Sequence, residues 1–180
     1  MKVSIRNKIQ KFLVNKKLDQ TFSIFKKVGE EFIEQEDGYF AGNKERVPFY
    51  KKNVKKTGKT EFVKVLQIGL DTEYEQNGIN KNDIISYQLY MPAYNLGVIF
   101  YTNPKNYKRF ELETFFQLIN EVFNHANYYK EIDIISHFSV AEMNSFDNYK
   151  EFIKDHKFDR NIQMIQKSFA TITPINYKYT

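Results

Sequence analysis

The chain has 180 residues, a formal net charge of +5, 42% hydrophobic residues and no cysteine. This length fits one compact domain, and the absence of cysteine excludes disulfides and thiolate metal sites, so a metal would need oxygen or imidazole ligands. No apolar run approaches the roughly 18 residues that a membrane span needs, and no secretory signal is recognisable, so we expect a soluble, intracellular protein without a membrane partner.

Charge is unevenly distributed along the chain. Residues 1–64 hold 16 Lys/Arg against 8 Asp/Glu, whereas residues 65–180 hold 11 against 14. We therefore predict a basic N-terminal arm with a linker over residues 1–60 and a separate domain over residues 61–180. The arm contains a lysine cluster that either binds the phosphates of a nucleic acid or is simply solvated. This cluster consists of Lys51, Lys52, Lys55, Lys56 and Lys59.

The first predicted element is an amphipathic helix. Apolar residues recur at helical spacing over residues 18–35, which predicts one helix there. Residues 36–60 lose this pattern and contain three glycines and a proline. We interpret them as a linker or loop.

The rest of the chain alternates between strand and helix patterns. Strands are predicted at 62–70, 84–90, 97–101 and 132–136, helices at 110–126, 140–143 and 149–153, and a strand or hairpin at 162–175. The first three strands are close enough for an antiparallel meander. The order β-β-β-α-β-α-β favours an α/β fold with a ribonuclease H-like mixed sheet, preceded by the basic helical arm.

Three carboxylates are placed for metal chemistry in this topology. Asp71 and Glu73 alternate at the end of the first strand, so their side chains share a face. Two carboxylates this close repel each other unless a cation lies between them, and Mg²⁺ or Mn²⁺ prefers such oxygen ligands. Glu142 follows the strand at 132–136 by about one helical turn, so we expect it to converge with the other two. A solvated strand end is the alternative.

These residues lie in motifs that resemble a known family. The motifs are Gly-Leu-Asp-Thr-Glu-Tyr at residues 69–74, Ile-Ser-Tyr-Gln-Leu at 85–89 and Ser-His-Phe-Ser-Val-Ala-Glu at 136–142. They resemble the proofreading 3′–5′ exonuclease domain of family B DNA polymerases, especially the protein-primed, linear-plasmid or virus-like branch. The resemblance covers residues 62–175. Asp71 and Glu73 match the first motif of this DEDD superfamily, and Glu142 occupies the position of the second-motif acid.

The resemblance implies an activity and its components. The family hydrolyses the 3′ ends of single-stranded DNA with two Mg²⁺ or Mn²⁺ ions. Asp71 would bridge both ions, and Glu73 and Glu142 would complete their ligand shells. The implied partners are single-stranded DNA and a polymerase domain or other replication proteins, in the cytoplasm or in a cell that hosts the encoding virus or plasmid.

The chain departs from the family in two respects. Glu142 stands where the family has Asp, and the third motif, a Tyr or His followed by Asp, has no match before Thr180. Asp147, Asp155 and Asp159 are available acids without a matching context. We therefore expect an incomplete exonuclease domain or a relative with a changed site. The other hypotheses are a non-catalytic nucleic-acid-binding or replication-complex docking module, and a basic interaction protein whose carboxylates are only solvated.

Aromatic and histidine side chains near the motifs complete the candidate site. Tyr74, Tyr87 and Phe138 are candidates to stack a frayed base, with core packing as the alternative. His137 could hydrogen-bond a metal-bound carboxylate or be a core histidine. For His125, near the end of the long helix, a helix-capping or solvent-exposed role is favoured over metal binding.

Overall fold

The computed structural model of the protein describes residues 3–40, 49–79, 81–136, 139–155, 162–164 and 173–178. The strands are β1 Val3–Ser4, β2 Thr21–Val28, β3 Glu31–Gln35, β4 Tyr39–Phe40, β5 Phe49–Val54, β6 Thr60–Gln76, β7 Asn82–Met91, β8 Leu96–Tyr101, β9 Glu131–Ser136, β10 Ile162–Met164 and β11 Thr173–Lys178. The α-helices are α1 Ile5–Asn15, α2 Leu112–Leu118, α3 Ser139–Asn144 and α4 Tyr149–Asp155.

Within the described residues, β1 pairs with β4, and the remaining strands belong to one mixed sheet. Its order is β10-β11-β9-β6-β7-β8-β2-β3, with β5 also paired to β6. The strands β6, β7 and β8 form the predicted antiparallel meander. After α2 the chain returns as β9, which lies parallel to β6. The predicted mixed α/β class is confirmed.

Aromatic packing holds the helices on one face of the sheet, which we call the core face. Tyr87 of β7 is fully buried there, with ring centroids 5.1 Å from Phe110 and 5.2 Å from Phe146. Its hydroxyl donates to the carbonyl of Ser145 at 2.6 Å and accepts from the backbone N–H of Phe110 at 3.3 Å. This hydroxyl thus joins the segment before α2 to the turn after α3.

The prediction of a helix over residues 18–35 is wrong. The segment forms the antiparallel hairpin of β2 and β3, whose turn includes Gly29 at φ +65°, a conformation that glycine adopts at little cost. Its aromatic and β-branched residues also favour a strand. A helix does begin earlier, at α1, where the Ser4 hydroxyl accepts from the N–H of Asn7 at 3.1 Å.

The N-terminal segment belongs to the main fold. α1 buries Ile5, Ile9, Phe12 and Leu13 in the same core as the meander, and β2 pairs with β8. Strands β4 and β5 occupy parts of the predicted linker over 36–60. The segment that was predicted as a separate arm therefore contributes a helix and several strands to the fold. Its apolar residues form part of the common core.

The predicted helix over 110–126 is present but irregular. It begins as α2, continues as a π-helical turn at Ile119–Phe123 and ends in a 3₁₀ turn at His125–Asn127. The helices predicted near 140 and 149 are confirmed as α3 and α4. In the region predicted as a strand or hairpin over 162–175, β10 and β11 pair antiparallel, and β11 extends to Lys178. No helix in the described ranges has the length and apolar character to cross a membrane.

Candidate carboxylate site on the central strand

Strand β6 alternates between the two faces of the sheet at the candidate site. Leu70 and Thr72 are buried on the core face, whereas Asp71 and Glu73 are exposed on the opposite one, which we call the outer face. The register of β9 against β6 ends at the pair Gly69 and Ile135. The two carboxylates thus lie just beyond the point at which β9 leaves the central strand.

The neighbouring strand β7 provides polar groups and a bend at this point. Asp71 pairs with Gln88 and Glu73 with Ser86, and the register then shifts before Tyr74 pairs with Ile84. This shift is a β-bulge, a feature that bends and twists a strand. The Thr102 side chain fixes the bulged segment by donating to the carbonyl of Ile84 at 2.5 Å.

The two carboxylates provide oxygen ligands on the same exposed face. One oxygen of Asp71, Oδ1, accepts from the N–H of Thr72 at 3.0 Å, which orients the carboxylate along the strand. Residues two apart on a strand are about 6.5 Å apart. Mg²⁺ typically binds one or two carboxylates together with water and substrate phosphate. Asp71 and Glu73 therefore fit one divalent ion, but they do not by themselves provide the ligands for two.

Glu142 lies in a different environment from the other two acids. It occupies the first turn of α3 and is buried. The turn that follows α3 packs on the core face, where the Ser145 and Thr72 hydroxyls are 3.0 Å apart. Among the described residues, no three Asp, Glu or His side chains are grouped to hold a metal ion. The expected convergence of Asp71, Glu73 and Glu142 is therefore not present.

The remaining predicted site residues lie in several places. Tyr74 is exposed on β6. Tyr87 is fully buried, which agrees with core packing and not with stacking on a base. Asp147 and Asp155 are exposed. His125 places its Nδ1 3.2 Å from the Lys8 ammonium. The candidates His137, Phe138 and Asp159 lie outside the described residues.

The predicted lysine cluster lies on a β-hairpin. Lys55, Lys56 and Lys59 are exposed in the connection between β5 and β6, and Lys55 lies 3.1 Å from the carboxylate of Glu61. Lys51 and Lys52 lie on β5. Lys51 and Lys52 thus lie in a strand that pairs with the first residues of β6, rather than in the predicted loop, while residues 55–59 form the turn that joins the two strands.

A cavity beside Asp71 was not predicted from the sequence. It has a volume of about 440 Å³ and lies on the outer face of the sheet. Its lining includes Phe25, Phe32, Asp71, Gln88, Tyr90 and Ile135. Phe32 and Tyr90 form an edge-to-face pair 5.5 Å apart. The strand-type composition of residues 21–28, followed by Gly29, was the signal that could have placed Phe25 and Phe32 here.

No protein-family model matches the sequence, and neither a curated protein nor a solved structure shows significant similarity to the chain. Function must therefore be inferred from the residues and their geometry.

Proposed function

We propose that this chain is a 3′–5′ exonuclease domain with a ribonuclease H-like sheet, which hydrolyses the 3′ ends of single-stranded DNA with Mg²⁺ or Mn²⁺. The observation that carries the proposal is the pair Asp71 and Glu73, exposed side by side on the central strand where β9 leaves it. The order β8-β7-β6-β9, with β9 parallel to β6, supports the fold assignment. A polymerase domain or other replication proteins are the proposed partners.

The chain's own residues have defined roles in this proposal. Asp71 and Glu73 hold the divalent ion, and the Thr72 N–H keeps the Asp71 carboxylate in place. Gln88, paired with Asp71 across the sheet, has an amide group that can donate to a substrate phosphate. When bound, the ion neutralises phosphate charge and activates water for attack on phosphorus.

The position of Glu142 favours a second candidate function. Glu142 is buried, while Asp71 and Glu73 are exposed. The exposed site therefore has two carboxylates, whereas the two-ion mechanism of the DEDD superfamily uses more than two acidic ligands. A site with an incomplete ligand set binds its second ion poorly. The second candidate is therefore a non-catalytic module that binds nucleic acid or docks in a replication complex.

Digestion of a 5′-labelled single strand separates the two candidates. We expect shortening from the 3′ end in Mg²⁺ or Mn²⁺, and we expect Asp71→Asn to slow it by about 100-fold or more, because a metal ligand is lost. Glu113→Gln is the matched control, since Glu113 is an exposed carboxylate of α2, on the opposite face of the sheet, and it should retain the activity. Activity that survives Asp71→Asn contradicts the proposed mechanism. Absence of digestion together with DNA binding favours the docking module.

A further inference from the structure

The hairpin formed by β5 and the first part of β6 extends beyond the neighbouring strands. Its pairs run from Val54 with Thr60 to Phe49 with Val65. The register of β9 begins only at Val65 and that of β7 only at Gly69. Residues 60–64 therefore have β5 as their strand neighbour in the described part of the sheet. We call residues 49–64 the basic ribbon.

The basic ribbon carries most of the charge asymmetry of the chain. It contains six lysines and one acid, Glu61, so its net charge of +5 equals that of the whole protein. The lysines are Lys51, Lys52, Lys55, Lys56, Lys59 and Lys64. The described part from residue 55 to residue 62 is exposed throughout. A protruding element of this charge is attracted to polyanions.

The two ends of the basic ribbon differ in how they are held. At the base, the carbonyl of Lys64 accepts from the N–H of Lys130 at 3.0 Å, and the Lys64 ammonium lies 4.2 Å from the Tyr128 ring centroid. At the tip, Gly58 has φ +77° and its N–H donates to the carbonyl of Lys55 at 2.9 Å. An anchored base and a tight two-stranded tip make the ribbon a narrow projection.

The shape of this projection matches a groove of double-stranded DNA. The backbones of paired strands are about 4.8 Å apart. The major groove of B-DNA is about 12 Å wide and admits a two-stranded β-ribbon. In such a groove, the lysines of a ribbon face phosphates on both strands. Phe62, 67% exposed on β6, can then make an apolar contact with thymine methyl groups.

We propose that the basic ribbon binds in the major groove of duplex DNA. It thereby holds the double-stranded part of a substrate whose 3′ end reaches Asp71. This inference rests on the proposed function and extends it to the substrate class. Along β6 the residues from Lys64 to Asp71 span about 23 Å and those from Thr60 about 36 Å. At about 3.4 Å per base pair, this distance between the ribbon and the carboxylates corresponds to the length of roughly 7 to 11 base pairs of duplex.

The test measures binding without divalent ions, so that no hydrolysis occurs. The probes are a fluorescent 20-base-pair duplex, the corresponding single strand and phosphatidylserine vesicles. The test variant is the triple substitution Lys55→Gln, Lys56→Gln and Lys59→Gln. The control is Lys105→Gln, Lys108→Gln and Lys150→Gln, which removes the same charge from exposed positions elsewhere.

We expect the ribbon variant to bind the duplex at least 10-fold more weakly than the control variant. The slope of log affinity against log salt should fall in magnitude by about 2.7, which is 0.9 for each of three lost phosphate contacts. Single-strand binding should change by less than the duplex binding does. Equal effects of the two triple variants, a loss confined to the single strand, or binding to vesicles but not to the duplex would each overturn the inference.

The digestion assay keeps this inference distinct from the proposed function. If the wild-type chain digests no DNA but the ribbon variant loses duplex affinity and salt slope, the enzyme proposal fails and the duplex-binding role of the ribbon stands. If the chain digests single strands and the ribbon variant binds the duplex as the control does, the ribbon inference fails alone.

Discussion

Individual polar atoms in the core join elements that are distant in the sequence. The Tyr87 hydroxyl contacts the backbone at Phe110 and at Ser145, and burial raises the pKa of this tyrosine far above its ordinary value. It therefore remains neutral and able to donate its hydrogen bond across the physiological pH range. Ser145 is in turn within hydrogen-bond distance of Thr72, the residue between the two exposed carboxylates.

Removing this hydroxyl should destabilise the protein. We expect Tyr87→Phe to lower the free energy of unfolding by about 1–3 kcal/mol, because two buried backbone groups lose a partner. Urea unfolding followed by circular dichroism measures the change. Tyr74→Phe is the matched control: Tyr74 is 55% exposed, and its substitution should change the stability by less than about 0.5 kcal/mol. Equal stabilities of the two variants would show that the buried hydrogen bonds contribute little.

At the scale of elements, the start of α1 depends on an acid from a distant segment. Asp37 Oδ1 accepts from the N–H groups of Arg6 at 2.8 Å and Gly38 at 2.7 Å, and Oδ2 accepts from the Ser4 hydroxyl. Burial acts to raise the pKa of Asp37. The hydrogen bonds from Ser4, Arg6 and Gly38, together with the Arg6 charge, outweigh burial and hold the pKa below its ordinary value of 3.8.

The lowered pKa of Asp37 makes its contribution dependent on pH. A carboxyl with a lower pKa in the folded state stabilises the protein above its unfolded pKa, and this stabilisation is lost as the pH falls through the folded pKa. We therefore expect Asp37→Asn to be less stable than the wild type at pH 7, with a difference that shrinks below about pH 4. Urea titrations at a series of pH values test this. A difference that grows on acidification would refute the assignment.

The elements that could be predicted from the sequence are those whose local pattern agrees with their environment. The strand containing Ile68 and Leu70 alternates clearly, and the helix containing Phe115 and Phe116 has a continuous apolar face, so both predictions succeeded. The hairpin of β2 and β3 was misread because its apolar residues are also three, four or seven positions apart. This segment is a strand because β2 pairs with β8, which is distant in the sequence. A local sequence pattern carries no information on such pairing.

Some features of the candidate site could likewise be predicted from the sequence, and others could not. The shared face of Asp71 and Glu73 followed from strand alternation alone. The burial of Glu142 depends on how α3 packs, through contacts such as those of Ser145, and no spacing rule provides that information. The cavity needs Phe32 from β3 next to Tyr90 from β7, two residues brought together only by the order of strands in the sheet.

At the scale of the whole molecule, the described part of the N-terminal 60 residues contributes to the structural core. Ile5, Ile9, Phe12 and Ile24 are almost fully buried, and losing a large buried side chain costs about 2–5 kcal/mol. Together these losses are about as large as the roughly 5–15 kcal/mol by which a domain is stable. We expect a chain lacking residues 1–60 to show no cooperative thermal transition by circular dichroism. The triple lysine variant of the ribbon tip should melt as the wild type does. A cooperative transition in the truncated chain would instead support an independent domain from residue 61.

The parallel pairing of β6 with β9 also has a consequence for synthesis on the ribosome. It joins Val65 to Glu131, so the central strand waits for its second neighbour until the chain has grown by more than 60 residues. At about 5–20 residues per second, this interval lasts several seconds. During that time β6 has an open edge, the kind of edge that pairs with other chains. The nascent chain is therefore exposed to misassociation along β6 until β9 is made.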